Sequence, residues 1–284
     1  MICEIINQAE DLSLPKGNRL STLVIDAGMG NWSLFFYPLA EELKKLARVC
    51  LLSRDGYLDA VDEYQDEVSV ALQMNSTLHA HGIDGPLVLV GHSLGGLHVR
   101  IYQQLFPEQV EAMILLDAAP PRLFDVFPGI KKNIEKQMRM VSVLIALGRL
   151  GLLRWAKNKI PTFGLPRPLL PQYYRITTTA RYYMTYQWEM RNFQSTLSYV
   201  KSLRDLGDLP LLVIGSPYGL NQPITESATN EKVVDDDWQQ LQLDLSKLSS
   251  RSTFIQSKGD HFLQLTDTPG VAKAIQKFYA GLYS

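Results

Sequence analysis

Pro86-Leu87-Val88-Leu89-Val90, Gly91-His92-Ser93-Leu94-Gly95 and the segment Leu97 to Phe106 form the stretch that decides the fold. The first five residues are a continuous apolar run, the pattern of a strand buried on both faces. The last segment has helical spacing and stops before Pro107. Between them lies a G-x-S-x-G turn in a strand–turn–helix setting, the context that gives this motif meaning. So sharp a turn strains the serine backbone, and the residues two before and two after must be small; here both are glycine. The strain lifts the Ser93 hydroxyl above the strand ends. The start of the next helix favours negative charge beside it. A glycine-rich turn with a helix-capping serine is the plainer reading, and the flanking strand and helix argue against it.

Outward from this turn, the same rhythm repeats. Thr22–Ala27, Arg48–Ser53, Val110–Leu116, Leu209–Gly215 and Ser252–Ser257 read as strands. Ser33–Leu46, Val61–Ala80, Asp237–Leu248 and Pro269–Tyr283 read as amphipathic helices. Apolar strands alternating with such helices predict an α/β fold, a mostly parallel doubly wound sheet covered on both faces. Ile2 to Ile6 is a further candidate strand, and Pro15-Lys16-Gly17-Asn18 reads as a turn. The rhythm breaks from Pro120 to about Leu203, a helical, aromatic stretch with prolines at 161, 166, 168 and 171. The expected organisation is a core of residues 1–119 and 204–284 interrupted by a helical cap at 120–203.

The chain has 284 residues, 28 basic and 29 acidic, with net charge −1. That balance excludes the basic footprint of a nucleic-acid binder, and 46% hydrophobic content suits a globular protein. Cys3 and Cys50 match no metal spacing and are expected as two reduced thiols. Met1-Ile2-Cys3-Glu4 is no basic leader, and Asn7, Gln8, Glu10 and Asp11 interrupt any apolar run. No stretch approaches the ~18 apolar residues of a membrane span. The expected location is cytoplasmic. No phosphate-loop or dinucleotide fingerprint is present, so no cofactor and no metal are expected.

From Thr22 onward the sequence resembles the α/β-hydrolase superfamily, in its capped serine esterase and lipase-like branch. The resemblance rests on Asp26-Ala27-Gly28-Met29-Gly30, Gly91-His92-Ser93-Leu94-Gly95-Gly96, Leu115-Leu116-Asp117-Ala118 and Gly259-Asp260-His261-Phe262. It implies the α/β-hydrolase fold and a nucleophile, acid and histidine in that chain order. His261 is the one histidine after His98, in a loop between a strand and the last helix. His79 and His81 end a helix and look solvated; the His92 side chain is expected to point away from Ser93. The resemblance also places the acid after the Leu209–Gly215 strand, where this chain has no carboxylate until Glu226. Asp117, closing the neighbouring strand, is preferred; Glu226 and the Asp235–Asp237 run stay open. Asp260 reads as a turn former.

Acyl transfer needs backbone donors for the developing oxyanion. Leu94 supplies one N–H. The resemblance puts the other at Met29, with Gly30 as the alternative. Gly28, Gly30 and His92 are expected to border a bound substrate. Arg54-Asp55-Gly56-Tyr57 resembles a family loop at the pocket rim and is expected to be architectural. In the cap, Met138 to Trp155 is apolar on nearly every side, and Tyr173, Tyr174, Tyr182, Tyr183, Tyr186, Trp188 and Phe193 follow. These form either the cap's own core or the lining of an apolar acyl pocket. An outer cap face touching lipid, a membrane contact, is the less favoured reading, because basic residues are few and the apolar patch can be buried. The favoured function is a serine hydrolase of a small ester-like substrate. Thioester, lactone or amide cleavage, acyl transfer, or a non-catalytic binding protein on the same fold remain alternatives. Epoxide and haloalkane hydrolysis are disfavoured, because relatives of that kind use a carboxylate where this chain has Ser93.

Overall fold

Side chains along a strand alternate between its two faces, so a strand covered on both sides must be apolar throughout. Leu23, Ile25, Val88, Val90, Ile114 and Leu212 pack into a core on one face of a seven-stranded sheet. Val24, Leu87, Leu89, Met113 and Val213 pack into a second core on the other. This arrangement comes from a computed structural model, which describes residues 1–7, 21–58, 66–218 and 235–283. The strands are β1 (Ile2–Ile5), β2 (Thr22–Asp26), β3 (Val49–Ser53), β4 (Leu87–His92), β5 (Val110–Leu116), β6 (Leu211–Gly215) and β7 (Ser252–Gln256). Their order is β1-β3-β2-β4-β5-β6-β7; β1 runs antiparallel to β3 and all other pairs are parallel.

Helices are numbered along the chain. The first core is covered by α1 (Tyr37–Leu43), α9 (Leu263–Thr266) and α10 (Thr268–Gly281). The second is covered by α2 (Glu67–Ala80), α3 (Leu94–Leu105) and α8 (Asp236–Ser246). Between β5 and β6 the cap inserts α4 (Leu123–Val126), α5 (Pro128–Arg149), α6 (Leu170–Thr177) and α7 (Ala180–Lys201). From β2 the chain steps to β3, crosses back to β4, and then proceeds toward β7. The carboxyl ends of β2 and β4 therefore flank the switch point where open α/β sheets form their binding crevice.

The elements follow the expected rhythm, with shifts that have local causes. The helix expected over 33–46 is a 3-10 turn (Ser33–Phe36) followed by α1, because Pro38 has no N–H and is accommodated in the first turn of a helix. Asp66 caps α2, its side chain accepting from the Ser69 N–H; residues 61–65 of the helix expected there lie outside the described residues, as does the turn at 15–18. The apolar stretch expected over 138–155 is helical only to Arg149, and Gly151 follows in the left-handed region at φ 71°.

One expectation is corrected. Cys3 and Cys50 are joined as a disulfide, with Cα atoms 5.9 Å apart. They are 47 residues apart in sequence. The antiparallel pairing of β1 with β3, which aligns Cys3 with Leu52 and Ile5 with Cys50, brings them together. No described helix is long and apolar enough to cross a membrane.

Where α3 leaves the sheet, backbones touch. A Cβ on Gly95 would sit 2.3 Å from the Asp26 carbonyl oxygen and 2.7 Å from that of Ala27. One on Gly91 would sit 2.6 Å from the Gly95 carbonyl oxygen. Gly95→Ala is expected to destabilise the fold by about 1–3 kcal/mol, the usual range for overpacking against atoms that cannot give way, read as a lower urea midpoint at unchanged slope. An unchanged midpoint would contradict this contact.

Candidate active site

Ser93 closes β4 and precedes α3 with φ 51° and ψ −117°, a left-handed conformation rare for a side-chain-bearing residue. Its carbonyl accepts from the N–H groups of Gly96 and Ala119, and its own N–H donates to the Leu116 carbonyl. The hydroxyl is half-buried at the carboxyl edge of the sheet. From the loop after β7, His261 places Nε2 3.1 Å from Ser93 Oγ and Nδ1 2.6 Å from Asp117 Oδ2. These three residues come from the ends of β4, β5 and β7, so parallel pairing delivers them to one edge.

Of the carboxylates left open by the sequence, Asp117 is the one in contact with His261 among the described residues. Asp117 is fully buried, sits at φ 40°, and accepts at its second oxygen from the Ser216 N–H at 2.8 Å and the Trp238 indole at 3.0 Å. Ser216 directly follows β6, so the loop expected to hold a carboxylate holds a donor to one instead. Asp235 caps α8, accepting from the Trp238 N–H at 2.9 Å, and Asp236 and Asp237 lie exposed in its first turn. Glu226 lies outside the described residues. Asp260 accepts from Phe262 N–H and Thr266 Oγ1, as a turn former does.

The turn after β2 abuts the elbow: a Cβ on Gly28 would lie 3.0 Å from Ser93 Cβ and 2.9 Å from His92 Nδ1. This turn is held by a buried charge network. Arg54 donates to Asp26 at 2.6 Å, to the Ala27 and Gly28 carbonyls at 2.7 Å each, and to Glu189 of α7 at 2.8 Å. Burial pulls the Arg54 pKa down, but Asp26 and Glu189 outweigh it and leave the guanidinium above its usual range. Burial likewise pushes Asp26 up, and Arg54 and His98 outweigh that, so it lies below its ordinary value. Glu189 accepts in turn from the Gly30 N–H at 2.8 Å and the Tyr57 hydroxyl at 2.5 Å. The Gly30 N–H is therefore engaged, whereas those of Met29 and Leu94 have no partner among the described residues. The Arg54–Tyr57 loop is architectural, as expected. Sequence reading missed its partner Glu189, whose signal was its isolation: it is the one acidic residue between Glu135 and Asp205.

The other histidines are occupied elsewhere. His98 Nδ1 lies 2.8 Å from Asp26, His81 bonds the Thr77 carbonyl, and His79 pairs with Asp84 at the surface. His92 was expected beside the substrate. It is fully buried, and its Nε2–H donates to the His261 carbonyl at 2.7 Å. It thus supports the histidine loop from beneath. Its Nδ1 has no partner among the described residues. Of the cap aromatics, Tyr173, Tyr182, Tyr183 and Phe193 are buried, and Tyr173 stacks on Trp32 at 5.9 Å. Tyr186 closes over Gly30, whose Cβ would meet its ring at 3.1 Å. Phe163, also at positive φ, packs its ring 4.6 Å from Phe262, beside His261.

Comparison with known proteins adds three findings. The family model described as alpha/beta hydrolase fold matches residues 22–268. Salicylic acid-binding protein 2 of Nicotiana tabacum is 27% identical over 108 residues, 37% of this chain and 42% of that one. The chain spans less than half the length of the curated relatives it matches. Among solved structures, a thermophilic esterase from Thermogutta terrifontis is similar with TM-score 0.65 at 14% identity, covering 94% of this chain and 92% of that one. The epoxide hydrolase CorEH is similar with TM-score 0.62 at 15% identity, covering 92% of each. At such identities the likeness is one of fold.

His92 makes stability depend on acid. Burial and the neighbouring His261 pull its pKa from 6.5 to about 3, so the folded chain refuses a proton that the unfolded chain accepts. Its contribution is complete above pH 6.5 and is lost progressively as pH falls toward 3. Well inside that window the loss is about 1.4 kcal/mol per pH unit. Urea denaturation between pH 6 and 4 is expected to approach this slope in the wild type and to show a flatter one in His92→Gln. Equal slopes would exclude a buried neutral imidazole at this position.

Proposed function

The chain belongs to the α/β hydrolase fold family, and from that premise we propose that it is a serine hydrolase of carboxylic esters. One observation carries the reading: a single imidazole bridges a strained serine and a buried aspartate, at 3.1 and 2.6 Å. Serine is a weak nucleophile without such a base. As substrate binds, Ser93 Oγ attacks the carbonyl carbon and its proton passes to His261 Nε2. Asp117, accepting from Nδ1–H, holds the imidazole in the required tautomer and stabilises the imidazolium. The N–H groups of Leu94 and Met29 meet the oxyanion; neither has a partner among the described residues, and the Arg54–Glu189 network holds the Met29 turn in place beforehand. On collapse the leaving alkoxide takes the proton from Nε2. Water then attacks the acyl-enzyme, His261 accepts its proton and returns it to Ser93 Oγ, and the carboxylic acid departs.

Thioesters, lactones and amides would follow the same steps. Epoxide opening is the less favoured chemistry, because position 93 holds an alcohol. Half-buried Met29, Tyr186, Phe163 and Phe262 lie around the turn and the histidine loop, which favours an apolar acyl or side chain. A binding protein on this fold is the second class of function.

A fluorophosphonate probe is expected to label the wild type and not Ser93→Ala; absence of label on folded wild type would favour the binding protein. Asp117→Asn is expected to lower kcat for p-nitrophenyl butyrate by about 10⁴-fold, and full turnover would dismiss Asp117 as the orienting acid. Across p-nitrophenyl esters, kcat/KM is expected to rise from acetate to hexanoate. A fall along that series would count against the apolar pocket.

A further inference from the structure

Charge along this chain is strongly uneven. Residues 136–188 carry nine basic side chains and no acidic one, whereas the whole chain has net charge −1, so the remainder carries −10. All nine, Lys136, Arg139, Arg149, Arg154, Lys157, Lys159, Arg167, Arg175 and Arg181, are exposed. Among the described residues none of them forms a salt bridge. An ordinary solvated surface mixes both signs; this one does not.

The same segment also exposes several large apolar side chains. Trp155 is 91% exposed, Leu150 72%, Val143 58%, Met140 57% and Leu152 47%. On α5, Lys136, Met140 and Val143 share one face, and Leu150, Leu152 and Trp155 follow the helix, also exposed. Beside it a groove of about 630 Å³ is lined by Arg154, Lys157, Asn158, Arg167, Tyr174 and Arg175. Four cations around one concavity select a phosphate-bearing anion. An indole in water at the rim of a basic surface matches the headgroup level of a bilayer, where an amphipathic ring has one side in each medium.

We propose that this face of the cap docks on an anionic phospholipid surface, the groove taking a headgroup phosphate and Trp155, Leu150 and Leu152 entering the interface. Membrane contact was not expected while the apolar patch could be buried; Trp155, Leu150 and Leu152 are instead exposed, and the proposed contact is with one leaflet. Binding strength in such contacts combines buried apolar area with attraction to anionic lipid. A nucleic-acid backbone would satisfy the cations but give the exposed aliphatic residues no partner, so a lipid surface fits better. The proposal stands independently of the reaction catalysed.

The test is co-sedimentation with vesicles of phosphatidylcholine and phosphatidylserine (7:3) against pure phosphatidylcholine, at 0.1 and 0.5 M salt, with Trp155 emission recorded against Trp155→Phe. Binding to the anionic vesicles alone, weakening with salt as screening shortens, and a blue shift lost in Trp155→Phe are expected. Arg154→Ala, Arg167→Ala and Arg175→Ala together are expected to weaken partition about 100-fold, each cation near an anionic leaflet strengthening it about fivefold. Thermal unfolding of the triple variant, expected unchanged, establishes that it is folded; Lys157→Glu with Lys159→Glu serves as the second variant. The proposal is overturned by no sedimentation of the wild type or by equal binding to both vesicles. It is equally overturned by undiminished binding of both variants, by tighter binding to a mixed-sequence oligonucleotide than to vesicles, or by binding of inorganic phosphate without vesicle binding.

Discussion

The close approach of α3 to the end of β2 is the constraint on which the site depends. Helix and strand cross with backbone against backbone at Gly95, and no side chain fits between them. That contact forces the chain leaving β4 to turn within one residue, placing Ser93 at positive φ. It also brings the turn after β2 alongside the serine, since Gly28 touches Ser93 Cβ space directly. One steric fact thus sets both the presentation of the hydroxyl and the nearness of the backbone donors at residues 29 and 94. Strain of this kind costs about 1–3 kcal/mol per residue and persists only where surrounding packing over-determines it. The fully buried β4, flanked by β2 and β5, supplies that packing.

A second layer of control is electrostatic. Arg54 is buried with two carboxylates, Asp26 from the sheet and Glu189 from the cap. A buried ion pair contributes little to net stability compared with apolar packing, but breaking one leaves an uncompensated charge. Its use here is geometric. Three of the Arg54 hydrogen bonds and one from Gly30 converge on residues 26–30, so the turn is held by charge-assisted bonds rather than by loop packing. Because Glu189 lies on α7, the cap and the turn are mechanically one unit: displacing α7 would release the Gly30 N–H and unpair Arg54.

Much of the proposed site was legible in the sequence. The elbow could be read because its steric demand falls on residues two apart, and His261 was preferred because the family resemblance implies a histidine late in the chain. Asp117 was legible only as a preference, since Glu226 and the Asp235–Asp237 run stayed open beside it. What distinguishes it is contact: His261, the Ser216 N–H and the Trp238 indole converge on it from three separate segments. His92 was expected to point away from Ser93 yet border a substrate; what only the fold shows is its full burial and its hydrogen bond to the His261 carbonyl. The cysteines were read as free because their pairing depends on β1 joining the edge of the sheet beside β3.

Sequence alone determined the fold class, the strand rhythm and the elbow, because each is written in spacing between near neighbours. Only the tertiary structure decided which acid reaches the histidine, which glycine amide is already engaged, that Cys3 meets Cys50, and that Trp155 faces water while Tyr173 and Tyr182 are buried. Each of those depends on contacts between residues tens to hundreds of positions apart. A linear pattern carries residue types but not the directions in which packing turns them.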